Sequence, residues 1–202
     1  MDAIHMLLRD HARTHATGVG EPEGGLAMGE LLNLAEDQMR RRPGEGLNSL
    51  AWLVWHMART EDMAVNALIA GRPQVLESDN WAERLNIGRI DMAAGMTDEE
   101  VEAFSSQVDI AALRAYRNAV GVRSIEVVSG MRPDQLDEMI DHSLVTQGFA
   151  DGTISPNAAW LDGFTNNKTK AFILGHTMTG HNFMHLGEAF CLRSMIGHKL
   201  PV

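Results

Sequence analysis

Hydrophobic positions along this chain recur at helical spacing, and nowhere do they alternate convincingly as a strand would. Over residues 3–16, Ile4, Leu7, Leu8, His11 and His15 fall on one face, the pattern of an amphipathic helix. A glycine-rich break from Gly18 to Gly25 ends it. A second helix is expected from Leu26 to about Arg41, with Leu31, Leu34 and Ala35 turned inward, closed by the turn Pro43-Gly-Glu-Gly. The strongest pattern runs from Leu47 to Ala70. There Leu50, Leu53, Val54, Met57, Glu61, Ala64, Val65 and Leu68 form a broad, mostly apolar stripe that stops at Gly71-Arg-Pro73.

From Val75 to Met96 the pattern weakens, which predicts a long surface connection with one short helix around Asp79–Leu85. Thr97-Asp-Glu-Glu100 has the form of a capping box and predicts a helix to about Gln107. Another helix is expected from Asp109 to Gly130, carrying Leu113, Val120, Val127 and Val128, with Gly121 weakening its middle. Pro133 at a first helical position predicts a short helix to about Asp141. Residues 146–167 look like loop with one turn near Trp160, and a last long helix occupies Lys168–Ile196, stopped by Gly197. Four substantial helices joined by long crossovers predict an all-α four-helix bundle. It is expected to fill residues 1–202 as a single domain, with 1–25 as an N-terminal extension.

Composition narrows the function. Hydrophobic residues make up 45% of the chain but aromatics only 5%, so aliphatic side chains and 13 methionines must fill the core. A formal net charge of −10 argues against nucleic acid as the main partner, because neutralising phosphates takes a surplus of Lys and Arg. The one cysteine, Cys191, excludes an intramolecular disulfide framework and fits a reducing compartment. It reads as a small core residue. The N-terminus lacks the form of a secretory signal and no apolar run is long enough to span a membrane, so a cytoplasmic protein is expected.

Chemistry concentrates in His181-Asn-Phe-Met-His185. Four residues advance a helix by about 400°, so the two imidazoles share a face and can grip one metal ion. His56, on the Leu47–Ala70 helix, is a candidate third ligand, although a lone histidine on an apolar face also reads as a satisfied core residue. Imidazole ligands suit zinc, nickel, copper or ferrous iron, and three of them leave positions open for water or substrate. Glu188 shares the face of His181 and His185 and reads as a further ligand, a base, or an acceptor that fixes an imidazole tautomer. No Glu precedes His181 or His56 by three residues, which excludes the usual bundle di-iron motif. His11 and His15 repeat the four-residue spacing, yet Arg9, Arg13 and Thr14 crowd them, so a partly exposed helix is the simpler account. His176 is five residues before His181 and, on an α-helix, points away from the pair.

Two blocks carry a resemblance. Leu50-Ala-Trp-Leu-Val-Trp-His56-Met-Ala-Arg-Thr-Glu-Asp, with Leu68-Ile-Ala-Gly-Arg-Pro after it, and His181-Asn-Phe-Met-His185-Leu-Gly-Glu resemble the DinB/YfiT superfamily. The resemblance spans about residues 26–197. It implies His56, His181 and His185 as the ligands of one divalent metal, zinc or nickel foremost. It also implies a spread of activities. Some such proteins are transferases in which the metal binds a low-molecular-weight thiol of the mycothiol or bacillithiol type and presents it as thiolate to an electrophilic small molecule. With water in place of thiol, the same position supports a hydrolase. A non-catalytic metal- or ligand-binding bundle of a stress response is the third reading. Arg59, one turn from His56, is a candidate for pairing with a carboxylate on thiol or substrate, or for a salt bridge inside the bundle. The resemblance also implies pairing as a homodimer.

Overall fold

The computed structural model of the chain describes residues 2–16, 18–20 and 27–199. Those residues are all-α and contain no strand, only two isolated bridges. Helix α1, Ala3–Thr14, begins at Asp2, whose carboxylate accepts the His5 N–H. The expected glycine-rich break falls partly on residues 21–26, outside the described ones. The expected helix over 26–41 is instead a 3-10 turn, Met28–Leu32, and a short α2, Glu36–Arg40. Arginines from elsewhere break it: Arg193 donates to the Leu31 carbonyl and Arg114 to that of Leu34, so these groups need no helical partner. Leu32 and Met39 reach the core there, while Leu31 and Leu34 are only half-buried and Ala35 is exposed.

Helix α3, Leu50–Asp62, starts at Ser49, whose hydroxyl accepts the Trp52 N–H, and runs on as a π-helical segment, Met63–Ile69. Every apolar member of its predicted stripe is buried. The segment after it is not the expected surface connection. It holds a 3-10 turn, Val75–Glu77, and α4, Trp81–Arg84, and it buries Val75, Leu76, Trp81, Leu85, Met92 and Ala93. Helix α5, Asp98–Gln107, opens with the predicted capping box, and α6, Ile110–Ser129, is capped by Asp109.

Pro133–Asp137 forms a 3-10 turn, shorter than predicted. The expected loop 146–167 is largely helical, with α7, His142–Ala150, a 3-10 turn at Pro156–Ala158, and α8, Trp160–Thr165. Asp141 caps α7 by accepting the Ser143 N–H, a local signal that the glycines around it obscure. The last rod is α9, Lys170–Leu174, a π-helical segment, Gly175–Gly180, and α10, His181–Met195, stopped by Gly197 at φ +97°. Cys191 is exposed on it and is not the expected core residue.

The α1, α3, α6 and α9–α10 rods form the bundle. The α3 rod packs against α6 and α10, and α1 lies against α6 and the Gly175–Gly180 segment. The apolar core has two parts, one around Trp55, Phe104 and Tyr116 and one around Met63, Leu68 and Ile173. Between them α3 carries four consecutive buried polar residues, Arg59, Thr60, Glu61 and Asp62. Buried polar groups require partners, and three of these four have them. Among the described residues no helix is long and apolar enough to cross a membrane.

Candidate metal centre

The structure brings together the three histidines that sequence spacing and resemblance single out. One nitrogen from each of His56, His181 and His185 lies within 4.8 Å of the other two, and the His56 and His181 Nε2 atoms are 3.1 Å apart. Trp52, one turn before His56, stacks on its ring at 4.8 Å. Two of the three tautomers are set from behind, while the Nδ1 of His181 has no partner among the described residues. His56 Nδ1 lies 2.5 Å from the Met92 carbonyl, which accepts only, so Nδ1 carries the proton and Nε2 keeps its lone pair. His185 Nδ1 donates in the same way to Glu188 Oε2 at 2.9 Å, and Asn48 steadies the other oxygen of Glu188 at 3.0 Å. Burial pushes His56 down to about 4 and, with the neighbouring imidazoles, His181 down to about 2. Both are therefore neutral at pH 7, as metal ligation demands. The carboxyl of Glu188 is held below its usual range, chiefly by the His185 hydrogen bond.

Arg59 lies elsewhere. It is 1% exposed, and its guanidinium donates to the Ile90 carbonyl, Gln74, Asp62 and Tyr116 at 2.6–3.0 Å. Of the two readings of Arg59, a substrate carboxylate or a salt bridge inside the bundle, the geometry matches the second, with Asp62 as its partner. Asp62 in turn accepts Tyr116 and the Val75 and Leu76 N–H groups.

His11 and His15 are fully buried, against expectation. Their Nε2 atoms lie 2.6 and 3.1 Å from the two oxygens of Glu61, and Asn182 Nδ2 donates to Oε2 at 3.0 Å. Glu61 comes from the predicted inward stripe of α3, and that carboxylate on an apolar face was the signal for a buried partner. The cluster has the donor set of a second metal site. The charges around it say otherwise. Both Nε2 atoms face the carboxylate at hydrogen-bond distance and no acceptor meets either Nδ1, so both rings donate to Glu61, and the buried Arg117 adds a positive charge that opposes a second cation there. Burial drives the Glu61 carboxyl up, but the two imidazoles outweigh it and hold it well below its ordinary value. The arrangement is a hydrogen-bonded clamp that fastens α1 to α3 and α10. Gly121 makes room for it, since a Cβ there would stand 2.7 Å from the His15 ring.

His176 faces the metal site rather than away from it, its ring 5.6 Å from that of His181. The π-helical turn is the reason: hydrogen bonds spanning five residues put positions 176 and 181 on one side. Thr177 and Thr179 hydroxyls donate to the Ile173 and Gly175 carbonyls inside that turn.

A cavity of about 200 Å³ opens onto the three histidines, walled by Met63, Leu68, Met92, Leu161, Phe164 and Ile173, with Trp160 and Met184 exposed at its edge. A helical bundle that gathers three imidazoles beside a cavity fits a metal-binding protein. The chain belongs to the DinB superfamily, whose family model matches residues 27–189. It is also similar over 97% of its length to a conserved protein from Enterococcus faecalis, of which it covers 98%, with a TM-score of 0.65 and 19% identity, a likeness of fold. No curated protein matches the chain.

Proposed function

We propose that the chain is a metal-dependent enzyme that transfers a low-molecular-weight thiol to an electrophilic small molecule, with His56, His181 and His185 holding one zinc or nickel ion. The observation that carries the metal site is the pinning of two Nδ1 protons, by Met92 and by Glu188, which leaves the Nε2 lone pairs of His56 and His185 free in a cluster where one nitrogen of each of the three rings lies within 4.8 Å of the others. A divalent ion held there supplies a position at which a bound thiol loses its proton near neutral pH. Glu188 keeps His185 in its ligating tautomer and is a positioning residue. His176, half-buried in the cavity wall, is shifted towards its neutral form by burial, and as a neutral imidazole it can accept a released proton.

We place the protein in the cytoplasm, where low-molecular-weight thiols are reduced, and expect it to pair as a homodimer; light scattering tests the latter. The function is tested by metal analysis followed by thiol consumption with a generic electrophile. One ion per chain, lost in His56→Ala and His181→Ala, with thiol consumption lost in His185→Ala, is the expected result. Full metal occupancy in the mutants refutes the site. Ester or amide turnover without thiol would make the protein a hydrolase, and metal binding with neither reaction would leave a non-catalytic bundle.

A further inference from the structure

The lining of the cavity contains no lysine, arginine, aspartate or glutamate. Of the buried cations, Arg59 is consumed by Asp62, Tyr116, Gln74 and Ile90, and Arg117, whose charge reaches His181, stands outside the lining. Of the carboxylates, Glu61 is consumed by His11, His15 and Asn182, and Glu188 by His185 and Asn48. An anionic group on a ligand therefore finds a counter-charge only at the metal itself, and a cationic group finds none. Elsewhere in the cavity it would lose its hydration with nothing in exchange, a penalty of several kcal/mol.

Polar features on the wall are few. Thr165 and Thr177 hydroxyls donate to the Leu161 and Ile173 carbonyls, so they are satisfied within their own helices. Thr60 differs. It is 7% exposed, lines the cavity one turn beyond His56, and its Oγ1 has no partner. Of the four consecutive buried polar residues on α3, it alone is unsatisfied. A buried hydroxyl left without a partner costs about 1–3 kcal/mol, a cost that a ligand carrying a hydrogen-bonding atom removes. Size sets the last limit: a cavity of about 150 Å³ is known to hold benzene, so 200 Å³ admits a substituted ring or a compact aliphatic body of similar bulk.

We infer that this site takes a substrate whose body is uncharged and apolar, about the size of a substituted aromatic ring, with one carbonyl or hydroxyl oxygen bound by Thr60 and any negative charge confined to the atom that meets the metal. Trp160 and Met184 at the edge extend the same apolar surface outward. In the proposed transfer, which this inference deepens and on which it rests only for the place of the reacting atom, such a body belongs to the electrophile. A sugar-bearing thiol would find only Thr60 and His176 to meet its many hydroxyls within the cavity.

The experiment measures binding, not turnover, on the chelator-treated full chain, so it stands whether or not the thiol reaction does. The probes are acetophenone, its near-isostere α-methylstyrene, which lacks the oxygen, and 4-acetylbenzoate, which adds a charge to the body. Calorimetry is expected to show saturable binding of acetophenone and binding of 4-acetylbenzoate more than tenfold weaker. Thr60→Val should weaken acetophenone about fivefold, the equivalent of one ordinary hydrogen bond, and leave α-methylstyrene unchanged, while Thr60→Ser restores the wild-type value. Thermal melts of both variants report whether they fold. Equal affinity for the charged probe, no saturable binding of acetophenone, or a Thr60→Val protein that folds and binds acetophenone as tightly as wild type would each overturn the inference. Loss of thiol turnover with these affinities intact would instead count against the proposed reaction alone.

Discussion

Removing the Glu61 carboxylate should be among the most damaging single changes available to this protein. Glu61 is fully buried and receives three side-chain hydrogen bonds, from His11 at 2.6 Å, His15 at 3.1 Å and Asn182 at 3.0 Å. Glu61→Ala leaves two imidazole N–H donors without acceptors and the buried Arg117 guanidinium without its nearby negative charge. Hydrogen bonds to charged groups contribute about 1.5–3 kcal/mol each, but as neighbours they do not add, and breaking a buried charged cluster costs about 3–5 kcal/mol in all. Against a total stability of about 5–15 kcal/mol that is a large fraction. With a urea slope of about 2–3 kcal/mol/M, the unfolding midpoint should fall by about 1–2 M. Glu61→Gln should lose less, about 1–2 kcal/mol, because one imidazole can move its proton to the free Nδ1 and accept from the new amide. The assay is urea unfolding followed by far-ultraviolet circular dichroism on metal-free protein. A midpoint for Glu61→Ala within the equivalent of about 1 kcal/mol of wild type would refute the clamp.

Gly121→Ala should destabilise by about 1–3 kcal/mol although alanine favours helix, because its Cβ would stand 2.5 Å from Val19 and 2.7 Å from the His15 ring; thermal melting reads this. Glu188→Ala should weaken metal binding about 10–100-fold without unfolding the chain, as competition with a chelator will show, since it frees the His185 tautomer. Arg59→Met should cost about 3–5 kcal/mol in urea unfolding by stranding Asp62, yet keep the metal content of the wild type; a variant that loses its metal while staying folded would return Arg59 to the active site. His15, pushed down to about 3 mainly by burial, refuses in the folded state a proton that the unfolded chain takes up below about 6.5. Stability from this group is therefore complete above pH 6.5 and lost towards pH 3, at up to about 1.4 kcal/mol per pH unit, and His15→Gln should flatten that acid slope in metal-free protein.

Much of the metal centre was legible because it depends on local spacing. His181 and His185 share a face wherever the chain is α-helical, whereas His56 alone reads equally as a satisfied core residue and joins the pair through the family resemblance. What holds these rings was not legible. Met92, whose carbonyl orients His56, lies in a stretch with no periodicity, because segments that pack through irregular backbone carry no repeat to read. The same stretch supplies Ile90 and Gln74, the acceptors that take Arg59 out of the chemistry. The burial of His11 and His15 depends on Glu61, 46 or more positions away, and no spacing rule reaches that far. His176 was misplaced for a narrower reason. An α-helical angle was applied to a stretch flanked by Gly175 and Gly180 where the turn is wider.

That wider turn has a consequence for insertions and deletions. A π-helical segment is a helix carrying one residue more than α-helical winding can use. Loss of a single residue between Gly175 and Gly180 would let the rod relax to uniform α-helix. His181 and His185 would keep their mutual spacing, but everything before them would turn by about 100° and shift by about 1.5 Å. Lys170, whose N–H and ammonium both bind Glu138, and Ile173 on the cavity wall would be carried out of place, and His176 would leave the metal site. Chain length at this turn thus selects which side chains share the cavity with the metal, independently of the ligands that bind it.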